Sequence, residues 1–245
     1  MKLFTIFLLL TATAQASDIP RDGQAAEMST SRDLEAIGVV TSVAGQATGF
    51  LVGACEVLTV KHAAGWVGNT IGRRMDFRQT GRNGYHSRGT VIAEGNLDLL
   101  KEWYSVHRLG DWMLLRLDRC LGRSIQPAKL STKPIYWSNH WAPKSPPLQS
   151  AGFPASRNWR EGITRDPDCR VVMIINGQYY NDCAARPGNS GSPMFAFESQ
   201  GTGRMLVVFA MHSASQNSAI VPTEQKSIAI PSFLLAPLIA PLLTN

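Results

Sequence analysis

From residue 36 to residue 230 the chain is cut into short apolar segments by clusters of Gly, Pro, Asn and Ser. The segments are Ala36–Val43, Ala47–Val52, Glu56–Val60, Gly89–Ile92, Trp112–Leu117, Val171–Ile175, Met194–Phe197, Leu206–His212 and Ser227–Ile230. Most run four to eight residues and are rich in Val, Ile, Leu and Phe. Segments of that length suit strands rather than helices. Many of them at close spacing with turn signals between point to a β-sandwich or barrel, so the fold class is all-β. Only the tail beyond Pro231 has helical length, and Pro237 and Pro241 interrupt it, since proline removes a backbone donor. The stretch Leu130 to Pro147, rich in Pro, Ser, Lys and Trp, reads as a linker between two β-halves.

Composition excludes several classes. The chain is 44% hydrophobic and 17% charged. That charged share lies below the roughly 25% usual for soluble domains, which argues against a disordered protein. The net charge of +6 is scattered, with no Lys/Arg block of the kind that marks a nucleic-acid arm. Residues 1–16 carry the three-part pattern of a secretory signal: Met1-Lys2, an apolar stretch from Leu3 to Leu10, and Ala14-Gln15-Ala16. Phe4 to Leu10 is far shorter than the ~20 residues that span a bilayer. The expectation is an exported chain, secreted or periplasmic, with no membrane segment once processed. Residues 17–33 read as a flexible leader or propeptide, followed by one domain over 34–245.

Export favours disulfides. Cys169 opens an apolar run that meets Asn176-Gly177, and a second β-prone run returns to Cys183. Asn-Gly between two such runs is a hairpin signal. A three-residue loop centred on Asn176, with Gly177 left-handed, places Cys169 opposite Cys183, near disulfide reach. Cys55 then remains to pair with Cys120. The spacing of Cys55 and His62 matches no usual zinc pattern, so no metal is expected.

Three stretches carry chemistry. His62 follows the apolar run of Cys55-Glu-Val-Leu-Thr59-Val60-Lys61, at a strand end. Asp111 leads directly into Trp112-Met-Leu-Leu-Arg-Leu117. Ser190 lies in Arg186-Pro187-Gly188-Asn189-Ser190-Gly191-Ser192-Pro193, a glycine-bounded turn able to present backbone N–H groups and a hydroxyl to one point. A serine hydroxyl attacks an acyl carbon only when a base removes its proton. A neutral imidazole is such a base near pH 7, and a buried carboxylate fixes its tautomer. Asp98, which also precedes a Leu-Leu pair, is the rival for the carboxylate.

These residues resemble those of the trypsin-like (chymotrypsin-fold) serine peptidases, in particular the bacterial secreted branch that includes glutamyl endopeptidases. Thr48-Gly-Phe-Leu-Val52 with Val57-Leu-Thr-Val-Lys-His62 looks like that branch's histidine element. Asp111-Trp-Met-Leu-Leu-Arg-Leu117 resembles its aspartate strand, and Gly188-Asn-Ser-Gly-Ser-Pro193 its nucleophile turn. Ala151-Gly-Phe-Pro154 and Met211-His-Ser213 are similar to two further strands, and the order His, Asp, Ser is the family's. The resemblance implies two antiparallel six-stranded β-barrels, over about 36–130 and 148–232, with a short C-terminal helical tail. It implies His62 as general base, Asp111 as its orienting carboxylate, Ser190 as nucleophile and the Gly188 and Ser190 N–H groups as oxyanion hole. Ser213 would line the substrate groove and help to hold Asp111.

The implied activity is cleavage of protein or peptide substrates through an acyl-enzyme, by a monomer without cofactor or nucleic-acid partner. Asn189 stands where digestive relatives carry an aspartate that pairs with a freshly cleaved N-terminus, and no Ile-Val-Gly-Gly start is present. The pocket base falls on Ala184 instead of an aspartate, which argues against Arg or Lys specificity. His212 falls where glutamate-specific relatives place a histidine, while Ala185 replaces their hydroxyl residue. An esterase of the α/β-hydrolase class would need Gly-x-Ser-x-Gly and the order Ser, Asp, His, neither of which is present. A catalytically silent binding or adaptor protein of the cell envelope on the same fold stays the alternative.

Overall fold

The computed structural model describes residues 32–65, 68–79, 84–96, 108–135, 137–139, 142–143, 147–155, 162–201, 203–215 and 227–244. The signal segment, nearly all of the leader and Asp98 lie outside the described residues.

Strands β1 (Ile37–Ser42), β2 (Gly45–Leu51), β3 (Glu56–Thr59), β4 (Arg74–Arg78), β5 (His86–Glu94) and β6 (Met113–Leu117) close into an antiparallel barrel in the order β1-β2-β3-β6-β5-β4. Its apolar core includes Val40, Phe50, Leu58, Phe77, Val91 and Leu115. Closure leaves no free sheet edge. Val43, expected inside the first strand, instead sits fully exposed in the two-residue turn between Ser42 and Gly45. That turn is pinned by Ser42 Oγ, which accepts the Ala44 N–H at 2.9 Å. The polar-looking run of β4 escapes a hydrophobicity reading because it alternates, burying Met75 and Phe77 while Arg74 faces water.

After β7 (Lys129–Leu130) and the small ladder of β8 (Trp137–Asn139) with β9 (Ala142–Pro143), the chain builds a second sheet. It comprises β10 (Leu148–Gly152), β11 (Thr164–Cys169), β12 (Val171–Ile175), β13 (Gln178–Asn181), β14 (Pro193–Gln200), β15 (Gly203–Ser215) and β16 (Ser227–Pro231). The order is β11-β10-β14-β15-β16-β13-β12, and β7 adds in parallel against Val207 and Val208 of β15. Only Arg170 separates β11 from β12, so the two act as one bent strand and the sheet has the six strands of a second barrel. The stretch expected to be a linker from Leu130 therefore begins inside this sheet, where Ile135 N–H donates to Tyr179 Oη at 2.9 Å. Strand β11 reads poorly from sequence because Pro167 interrupts it, a residue tolerated at such edges.

Helix α1 (Ser232–Ile239) follows β16 and packs Leu235 and Ile239 into the core. Pro237 lies inside it, and a 3-10 turn over Ala240–Leu242 continues it.

Cys169 pairs with Cys183 and Cys55 with Cys120. The hairpin reaches the first pairing by a different route from the expected three-residue loop. Ile175 pairs with Gln178, so the loop has two residues, Asn176 and Gly177, both at positive φ (50° and 78°). This suits the twist of a tight hairpin. A bulge between Val171 and Met173 then takes up one residue and brings the two cysteines opposite each other.

Candidate active site

His62 sits on a 3-10 turn, Lys61–Ala64, that leaves the end of β3. Several groups hold this turn. Ser42 Oγ donates to Ala63 O at 2.6 Å and Arg73 Nη1 to Ala64 O at 2.5 Å. Lys61, although charged, is 6% exposed, and its ammonium meets Glu94 Oε1 at 3.0 Å and Gly95 O at 3.1 Å. Glu94 in turn accepts the Thr70 N–H at 2.8 Å and the Thr70 hydroxyl. Burial alone pushes the Glu94 carboxyl up, but hydrogen bonds from Thr70 and Lys61 outweigh it and leave the group below its ordinary value.

Asp111 precedes β6, whose neighbour β3 leads to His62, so strand pairing brings His62 and Asp111 together. Its carboxylate is fully buried. Oδ2 accepts from His62 Nδ1 at 2.8 Å and from Ser213 Oγ at 2.6 Å, and Oδ1 accepts the His62 N–H at 3.1 Å. Desolvation alone would raise the Asp111 pKa, yet the facing His62 and these hydrogen bonds hold it below the usual carboxylate range. An ionised Asp111 requires the His62 proton on Nδ1, which leaves Nε2 as the acceptor.

Ser190 comes from the other barrel, in the loop before β14. Gly188 and Gly191 take φ of 95° and 87°, and a side chain on either would run into backbone, with Ala155 N and Thr48 O only 2.4 and 2.0 Å away. Successive carbonyls of the loop from Arg186 to Ser190 are tied. Pro187 O accepts from Ala155 N at 2.7 Å, and Asn189 O from Ser192 N at 2.9 Å. In a trans peptide the N–H points away from its carbonyl. The Gly188 and Ser190 N–H groups are thereby turned outward, and neither donates to an acceptor among the described residues. Two preorganised donors beside a serine are what an oxyanion requires.

Ala184 and Ala185 are half-buried between Cys183 and this loop, where Ala184 N–H donates to Asp166 Oδ2 at 2.8 Å. Ser213 and His212 lie in β15 and are buried. His212 Nε2 lies 3.0 Å from Ser150 Oγ, while its Nδ1 has no hydrogen-bond partner among the described residues. Burial drives its pKa down to about 4, so the ring is neutral at pH 7. Residues 216–226, next along the chain from β15, lie outside the described residues. Sequence reasoning missed the Lys61–Glu94 pair and the Ser150 partner of His212. A lysine in the apolar run before His62 was a visible signal, but its partners lie more than thirty residues away.

No family model and no curated protein matches the sequence. Solved structures do match. A Glu endopeptidase in complex with MPD is 16% identical over 84% of this chain and 90% of its own, with a TM-score of 0.57. Neuropsin, a serine protease expressed in the limbic system of mouse brain, is 13% identical over 86% and 95%, with a TM-score of 0.58. An inactivated protease paralogue of the scabies mite is 11% identical over 87% and 93%, with a TM-score of 0.59. What is shared at such identities is architecture, and the chain therefore has the two-barrel fold of the trypsin-like serine peptidases.

Proposed function

We propose that this chain is an exported serine endopeptidase working through an acyl-enzyme. The observation that carries the reading is the pairing of His62 Nδ1 with a fully buried Asp111, beside a serine loop whose two outward N–H groups are fixed. Ser190 Oγ attacks the scissile carbonyl carbon as His62 Nε2 takes its proton, and the oxyanion is met by the Gly188 and Ser190 N–H groups. The C–N bond breaks as His62 returns that proton to the leaving amine. Water, deprotonated by the same imidazole, then releases the acid. Asp111 stays ionised throughout and holds the imidazolium. Two disulfides are consistent with an oxidising compartment, and no helix among the described residues is long and apolar enough to cross a membrane.

A preference for Glu at P1 rests on His212. Its neutral ring would offer a carboxylate one hydrogen bond instead of an ion pair, and a peptide library without Glu enrichment at P1 removes that preference. The silent adaptor is the second reading, favoured by the likeness to an inactivated paralogue. Intact mass after fluorophosphonate treatment tests the two. One adduct on the wild type and none on Ser190→Ala supports the peptidase; no adduct on folded, disulfide-bonded protein even after the leader before Leu34 is trimmed, which sets a latent zymogen apart, supports the adaptor.

A further inference from the structure

Thr48 belongs to the most recognisable stretch of the histidine element, yet none of the chemistry above uses it. It is fully buried and sits where the two barrels meet. Its N–H donates to Ser190 O at 2.8 Å, and its hydroxyl donates to Gly188 O at 3.0 Å. The same hydroxyl accepts the Phe153 N–H at 3.0 Å, while its carbonyl accepts from Thr59 Oγ1 at 2.6 Å. Two residues earlier on the same face of β2, Gln46 Nε2 donates to Phe153 O at 3.0 Å. Phe153 leads to Ala155, whose N–H holds Pro187 O. One residue of the first barrel thus grips the carbonyls of Gly188 and Ser190 directly and the Pro187 carbonyl through a neighbouring loop. Through Thr59 it is also tied to the strand that ends at His62.

We infer that Thr48 is a positioning residue for the oxyanion site. Its hydroxyl fixes the Gly188–Asn189 peptide directly and steadies the Pro187–Gly188 peptide only through the Phe153–Ala155 loop, and so keeps the Gly188 and Ser190 N–H groups directed outward. A glycine at 188 is needed for φ of 95°, and it also makes this loop soft. With the hydroxyl gone, the Gly188–Asn189 peptide loses its only side-chain anchor among the described residues and the two donors need no longer converge. The inference rests on the reading of Ser190 as nucleophile.

The test compares Thr48→Val, which keeps shape but deletes the hydroxyl, with Thr48→Ser, which restores it. The readouts are the fluorophosphonate labelling rate and, on a cleavable peptide, kcat and KM separately. Affinity for a peptidyl boronate, an anionic tetrahedral mimic, is measured beside affinity for the neutral product peptide. Misdirected donors are expected to slow labelling and lower kcat by roughly 10²-fold. Boronate affinity falls in parallel, KM and product affinity hold, and Thr48→Ser recovers most of the loss. A role in stability alone would reduce the amount of folded protein but leave the boronate-to-product affinity ratio of the folded fraction unchanged. Should Thr48→Val fold poorly, Thr48→Ala measured in the cold carries the same comparison. Wild-type labelling with an unaltered affinity ratio in the hydroxyl-free variant overturns the inference. Absence of labelling in the wild type overturns the peptidase reading first, and the inference with it.

Discussion

At the scale of single residues, two buried ionisable groups set the pH behaviour. His212 has a folded pKa of about 4 against 6.5 when free. Below 6.5 the unfolded chain takes up a proton that the folded chain refuses until about pH 4. Stability is therefore full above that window and lost as pH falls through it, by about 3 kcal/mol. Urea unfolding from pH 7 to pH 4 should show this slope, and His212→Gln, which can still meet Ser150, should flatten it. Asp111 behaves alike at lower pH, because its depressed pKa gives stability that survives until the carboxylate itself protonates. On activity, Asp111→Asn keeps the shape but favours the wrong imidazole tautomer, with an expected loss on the order of 10³–10⁴-fold. Labelling rates measured on Asp111→Asn and Asp98→Asn decide the assignment; a larger loss from Asp98 would reverse it. The individual letters were readable because His, Asp and the Gly-flanked Ser each stand beside an apolar run that fixes a strand end. Their environment was not. Nothing near His212 in the chain hints at Ser150, which reaches it across 62 positions.

Among the elements, turns and brackets differ in how much the chain reveals locally. The hairpin at Asn176-Gly177 is visible as a dipeptide, yet its loop length depends on a bulge that appears only once Val171 and Met173 meet their partner strand. Gly177→Ala tests the turn. A Cβ there would have only ordinary contact with Leu109 at 3.6 Å, so the cost is the left-handed backbone alone, about 1–2 kcal/mol by urea titration. The bracket of Lys61 and Glu94 is the opposite case, invisible locally and strong in place. Glu94→Gln removes the Glu94 charge facing a nearly buried ammonium and should cost about 3 kcal/mol, of which Lys61→Met in the same chain recovers most. Thermal unfolding of the two single variants and the double gives the coupling directly. Strands β4 and β11 stayed hidden for separate reasons, alternating charge in one and an internal proline in the other.

Over the whole molecule, the candidate site is divided between the barrels: His62 and Asp111 come from the first, Ser190 and its glycine-bounded loop from the second. The chain also ties the far end back to the beginning. Glu56 on β3 is fully buried and accepts from Thr244 Oγ1 at 2.8 Å, from Arg116 Nε at 3.3 Å and from Cys55 N–H at 3.2 Å. Arg116 also donates to Leu242 O at 2.8 Å. Glu56→Ala unpairs these donors together and should cost about 2–3 kcal/mol, with the midpoint of chemical unfolding as the measure. That closure has a meaning for assembly of the native chain. The first barrel contains all its strands before residue 120, yet one of its buried carboxylates waits for a hydroxyl made 188 positions later. The contact that latches the first barrel is therefore supplied by the last residues of the chain, which follow the serine side of the cleft in sequence.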